Sequence, residues 1–141
     1  MRTELRPKGL EIVTIALDAR GLSKAGKYIH RAQPDHPALV DEAHLMDELF
    51  GVVNVPTGIW VDEAGMIARP PEPAFPENTH ALADLDSPTE GLDPYLRQVI
   101  EESKKIRAQP RRYIAALRDW VEHGAESRFA LSPEQVVERS R

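Results

Sequence analysis

The first clear hydrophobic run is Glu11 to Leu17, EIVTIAL, which is nearly continuous and rich in β-branched residues. That pattern predicts a strand buried on both faces, as in a parallel sheet. Gly9 precedes it, and Asp18, Arg20 and Gly21 close it. The period then changes. From Ser23 to Ala32, the residues Ala25, Tyr28, Ile29 and Ala32 recur at helical spacing, with Ser23 placed to cap the helix and Pro34 and Pro37 to end it. Ala38 to Val40 predicts a very short strand. Asp41 then caps a second helix over Glu42–Phe50, with Leu45, Met46, Leu49 and Phe50 as its apolar face and Gly51 as its stop. A strand followed by a helix and another strand is the start of a βαβ unit.

The stretch VVNVPTGIWVDEAGMIAR comes next. Thr57–Val61 and Met66–Ala68 predict two strands joined by the turn residues Asp62-Glu63-Ala64-Gly65, which makes a β-hairpin. Pro70 to Pro94 is poor in apolar residues and rich in proline and acid, so it reads as an irregular connector. Asp93-Pro94 then opens a helical region running from Tyr95 to Gly124. Leu96, Val99, Ile100 and Ile106 form one apolar face, and Tyr113, Ile114, Leu117, Trp120 and Val121 form another beyond Pro110, where a break or kink is expected. Ser132-Pro133-Glu134-Gln135 has the form of a capping box for a last short helix through Val136 and Val137.

Composition narrows the chemistry. The 141 residues include no cysteine, so disulfides, cysteine–zinc sites and thiol mechanisms are closed to this chain by itself. A formal net charge of −5 argues against nucleic acid as a general partner. No apolar run approaches the length that spans a membrane, and MRTELRPKGLE lacks the apolar stretch of a secretion signal. A cytoplasmic location is therefore the expectation. No phosphate-binding loop, dinucleotide fingerprint or nucleophile elbow occurs, and no spacing singles out a catalytic triad. The motifs call for no cofactor.

Taken in order, the segments are GLEIVTIALD, a helix, HPALVDE, a helix ending LFGVVNVP, and TGIWVDEAGMIARP. This succession resembles the thioredoxin-like superfamily, in its TlpA/ResA branch related to the AhpC/TSA peroxiredoxins. The resemblance covers residues 9 to 70. It implies an α/β fold with a thioredoxin-like core over residues 1–70, a connector over 71–94 and a helical C-terminal extension over 95–141. It also implies that Pro56 of Val55-Pro56-Thr57 is cis, and that this loop holds an extended substrate peptide. The family's C-x-x-C and the central strand before it have no counterpart in this sequence. That strand would lie between Glu11–Leu17 and Thr57–Val61.

Three arrangements answer the missing strand. The two flanking strands pair directly, a partner chain or a second copy supplies or covers the edge, or the catalytic front belongs to a longer protein. An open EIVTIAL edge is an aggregation hazard, which favours an oligomer. The expected function is protein interaction or assembly without a redox centre. The alternative is a piece of a TlpA/ResA-like thiol-disulfide oxidoreductase or peroxidase-like protein. Asp41, Glu42, His44, Asp47 and Glu48 suggest a metal or a solvated acidic face, and the second is expected. Lys104, Lys105, Arg107, Arg111, Arg112 and Arg118 read as a polar helix face rather than an anion site. Trp60 and Trp120 read as packing residues.

Overall fold

The computed structural model describes residues 1–74, 91–106 and 108–140. It is a mixed α/β arrangement in which two small sheets stay apart. In the first, β1 (Thr14–Leu17) pairs in parallel with β2 (Ala38–Asp41), from Thr14 opposite Ala38 to Leu17 opposite Asp41. The helix α2 (Leu22–Ala32) makes the crossover, as a parallel pair requires. In the second sheet, β3 (Thr57–Val61) pairs antiparallel with β4 (Ile67–Pro73).

Several expectations change in detail. The first strand forms only over Thr14–Leu17, because its ladder partner β2 is equally short, and none of its residues is fully buried. It is not a strand covered on both faces. Ser23 is not the cap of α2. Gly21 holds that position, and the Ser23 hydroxyl donates instead to the Arg20 carbonyl at 2.8 Å. The helix also rolls relative to the expected face, burying Ala25 and Gly26 while Tyr28 stays exposed beneath Lys27. Helix α3 covers only Leu45–Phe50, with His44 as cap, yet Asp41 still serves its start by accepting the Met46 N–H at 2.9 Å. Gly51 ends it in the left-handed region, at φ +68°.

The hairpin forms as the sequence predicts. Asp62 accepts from the Ala64 and Met66 N–H groups, and Gly65 takes φ +80°, so the turn residues do the work their chemistry allows. Its second strand runs further than expected, through Pro70, Pro71 and Pro73. The prolines fit because Pro73 stands opposite Thr57 on a strand whose other side carries little ladder. The rest of the expected connector, residues 75–90, lies outside the described residues.

Helix α4 (Pro94–Ile106) starts at Pro94, with Asp93 accepting the Tyr95 N–H at 2.8 Å. Helix α5 spans Ala108–His123, so Pro110 sits in its first turn, where a missing N–H costs nothing, and does not break it. Helix α6 (Pro133–Arg139) opens with the capping box complete: Ser132 accepts from the Gln135 N–H while the Gln135 side chain accepts from the Ser132 N–H.

The core sits between the hairpin and α5. Trp60, Ala68, Ala116 and Leu117 are buried there, with Tyr113, Trp120, Val121 and Phe129 packed around them. The short helix α1 (Arg2–Leu5) adds Leu5, which is 1% exposed. Trp60 stacks on Trp120 with ring centroids 5.1 Å apart and meets Tyr113 edge-on. Both tryptophans are packing residues, as expected.

Candidate cavity between the two sheets

β1 and β3 do not pair with each other. Direct closure of the gap is thereby ruled out as the arrangement of this chain. A cavity of about 1350 Å³ lies between them. One wall is β1, with Ile15 and Leu17. The opposite wall is β3, from Thr57 to Val61. Leu117 and Trp120 of α5 form much of the remainder, and Met46 and Phe50 reach it from α3.

The edges that face this space follow from the ladders. The Thr14 N–H donates to the Pro37 carbonyl and the Asp18 N–H to the Asp41 carbonyl. In an extended strand alternate residues turn to opposite edges, so Ile15 and Leu17 present their N–H and C=O groups away from β2. On the other sheet, the outer side of β4 receives the Leu131 N–H at the Ala68 carbonyl, 3.0 Å, and α6 packs alongside. The hairpin edge left over is that of β3.

All three residues of the expected binding loop line the cavity: Val55, Pro56 and Thr57. The Val55–Pro56 peptide is cis. Thr57 Oγ1 donates to the Asn54 carbonyl at 2.6 Å, which ties the loop, and the Pro56 carbonyl accepts the Ala74 N–H. The N–H and C=O of Val55 make no hydrogen bond among the described residues, and its side chain is exposed.

The rear of the cavity is a polar-capped aromatic group. The Trp60 indole N–H donates to the Tyr113 hydroxyl at 3.1 Å. Burial pushes the Tyr113 phenol up from its ordinary pKa. The Arg69 guanidinium lies 5.2 Å from the Trp60 ring, forms an ion pair with Glu72 and donates to the Phe129 carbonyl. This group closes one side of the space and locks α5 to the hairpin. Sequence reading placed Tyr113, Leu117 and Trp120 in an appended helix. Their spacing of three and four announced a buried face but not what it faces.

Three other clusters make the following contacts. Thr14 Oγ1 meets His36 Nε2 at 3.2 Å, and His36 Nδ1 meets Asp35 at 3.5 Å. The second contact is long for a hydrogen bond, and Asp35 is held by Arg2 at 3.0 Å. The chain of contacts is thus a clasp rather than a proton relay. His44 Nδ1 lies 2.9 Å from Asp47, and among the described residues no three His, Cys, Asp or Glu side chains are grouped to hold a metal. Arg118 pairs with Glu4, tying α5 to α1, while Arg107 and the side chains of Lys104 and Lys105 lie outside the described residues. No helix among the described residues is long and apolar enough to cross a membrane.

Compared with protein-family models, with curated proteins and with solved structures, the chain gives no significant match in any of the three.

Proposed function

We propose that this chain is a thioredoxin-like domain that acts by holding another polypeptide, in protein interaction or assembly, and not by dithiol chemistry of its own. The observation that carries the reading is the apolar cavity between two sheets that each leave an edge unpaired among the described residues. A volume of about 1350 Å³ exceeds the roughly 300–1,000 Å³ of small-molecule pockets. Unpaired strand edges are templates for further strands. The segment order is in keeping with the same reading: a parallel βαβ unit, then the Val55-Pro56-Thr57 loop, then an antiparallel hairpin. The free backbone groups of Val55 beside the cavity suit a loop that grips an extended chain.

The same cavity favours a second reading. A TlpA/ResA-like oxidoreductase or peroxidase-like protein would place its catalytic strand and C-x-x-C there, supplied by a further stretch of polypeptide. Two measurements separate the readings. Disulfide turnover by the chain joined to the polypeptide encoded upstream of it would remove the first, since the cysteine-free chain alone has no thiol to react. An in-frame C-x-x-C coding segment upstream of Met1 would establish the second, whereas an in-frame stop codon there supports the first. The solution mass then decides between a second copy and a foreign chain as partner.

A further inference from the structure

Resting on the interaction reading, we infer that the cavity takes one extended segment of a different protein, with an uncharged β-branched centre and a basic residue at the end that meets the hairpin turn. Three observations on the cavity specify that chemistry.

The first is its length and direction. It runs along β3 from the Val55–Thr57 loop to the turn at Asp62 and Glu63, and along β1 on the facing side. Both bounding strands present main-chain donors and acceptors to it. A lipid or a compact apolar ligand would leave those groups unpaired, and an unpaired buried polar group is costly. An extended peptide satisfies them.

The second is the character of the middle. Ile15, Leu17, Ile59, Val61, Leu117 and Trp120 line it, and its ionisable side chains are confined to Lys8, Glu11, Asp62, Glu63 and Tyr113. A charge in the central residues of the occupant would lose its hydration with nothing to replace it. β-branched residues fit a strand packed between such walls.

The third is charge at the ends. Glu11 is already held by Arg2 and Arg6. Asp62 and Glu63, at the turn, form no ion pair among the described residues, and both are side chains of the cavity lining. That end carries acid with no cation held to it among the described residues, although one Asp62 oxygen is already taken by the Ala64 and Met66 N–H groups. A Lys or Arg on the incoming segment complements it, whereas the open-edged strands that a second copy would offer, β1 and β3, are themselves flanked by Glu11, Asp18, Asp62 and Glu63.

The experiment uses the full chain and synthetic ten-residue peptides, blocked at both ends. The reference peptide has an alternating Val/Thr centre flanked by Lys. One comparison peptide carries Glu in place of Lys, and another carries Pro at the centre. Binding is read by Trp fluorescence, since Trp60 and Trp120 line the cavity, and by amide exchange at Ile15 and Leu17. The reference peptide is expected to slow exchange at both amides. The Pro peptide is expected to bind about tenfold more weakly, the loss of about one main-chain pairing. The Glu peptide is expected to bind more weakly still at low salt, with the gap closing near 1 M salt.

Two variants guard the result. Ile15→Pro removes an N–H that points away from β2, so it blocks the edge without removing a ladder bond. Val61→Lys puts a charge on an exposed position of the facing wall. Protection by the reference peptide is expected to be lost at Leu17 in the first variant, whose position 15 no longer carries an amide, and at both amides in the second, while the hairpin core keeps its near-ultraviolet signal.

Equal binding of the Pro peptide would overturn strand pairing, and equal binding of the Glu peptide would overturn the charge match at the acidic end. A dimer with Ile15 and Leu17 protected in the absence of peptide would overturn the foreign partner and leave the interaction reading standing. Unchanged exchange with every peptide, in a monomeric chain, also overturns the assignment. Disulfide turnover by the chain joined to the polypeptide encoded upstream of it, in contrast, removes the interaction reading itself, so the two failures are told apart.

Discussion

The hairpin with α5 and α6, and the βαβ unit with α3, carry similar kinds of apolar residues and use them differently. The rear unit buries Trp60, Ala68, Ile114, Ala116, Leu117 and Val136. Of the large hydrophobics in the front unit, none is fully buried, and Leu22, Tyr28, Leu39, Leu45 and Leu49 are all exposed. Both units have the secondary structure their patterns ask for. What separates them is the presence of a facing layer. The rear sheet has α5 to pack against, whereas β1 has an open cavity on the side where a neighbouring strand would sit. Apolar patterning thus marks a face that wants cover, and it does not say whether the same chain provides it.

The sharpest way to break this comparison is to truncate one residue in each unit. Trp60→Ala is expected to cost about 3–5 kcal/mol, read from urea unfolding. Ile15→Ala on β1 is expected to cost about 1 kcal/mol, since little of its apolar area is removed from water. Similar costs at the two sites would show that the front strand is packed as tightly as the core. The next effect is steric. A Cβ at Gly58 would run into the Tyr113 hydroxyl, so Gly58→Ala is expected to cost about 1–3 kcal/mol by forcing Tyr113 off Trp60. Adding Tyr113→Phe removes the colliding oxygen, and the double variant should recover about 1 kcal/mol against the sum of the single changes. Additivity would mean that α5 and the hairpin do not hold each other through this pair.

The same division governs what could be read in advance. The hairpin and its Asp62 turn, the Gly51 stop, the Pro94 start and the α6 capping box are local, and each follows from residues within a few positions of one another, while the parallel pair, 24 positions apart, follows from the strand–helix–strand order. The Val55-Pro56-Thr57 loop was found through family resemblance, and all three residues do line the cavity. The rest depends on distant contacts. Nothing in the first five residues announces that Leu5 is the most buried side chain, since a four-residue helix is too short to show a period. At Gly21, the cap of α2, an added Cβ would run into the Glu42 side chain, a contact 21 positions away that periodicity alone does not contain. The join of Tyr113 to Trp60 spans 53 positions.

Capping gives a smaller and cleaner contrast. In the rear unit Ser132 caps α6 reciprocally with Gln135. In the front unit Ser23 looks like a cap in sequence but lies inside α2. Ser132→Ala is expected to cost about 1 kcal/mol, whereas Ser23→Ala should stay within about 0.5 kcal/mol. Thermal unfolding of both variants checks this, and a matching loss at Ser23 would show that the front helix depends on a hydroxyl it does not use as a cap.

The smallest expected effect concerns the clasp that joins the two units. Arg2, on the helix that plugs the rear core, donates to Glu11 at the approach to β1 and also meets Asp35 before β2. The Arg2 hydrogen bond is the main reason that the Glu11 carboxyl is pushed down to about 2, with the Ile12 N–H adding to it. A carboxyl whose folded pKa lies below its unfolded one adds stability above the unfolded value, about 4.3. That stability is lost as pH falls towards the folded value. The whole chain is therefore expected to weaken between about pH 5 and pH 2, and Glu11→Gln should flatten that part of the curve. The side chain is 44% exposed, so screening keeps the change small, and added salt should shrink it further. Amide exchange localises it. Protection should fall first at Thr14 and Ala16, where β1 meets β2, while the amides around Trp60 stay protected. Simultaneous loss in both units would mean that the front is held by the core itself, and that Arg2 merely lies across a boundary it does not secure.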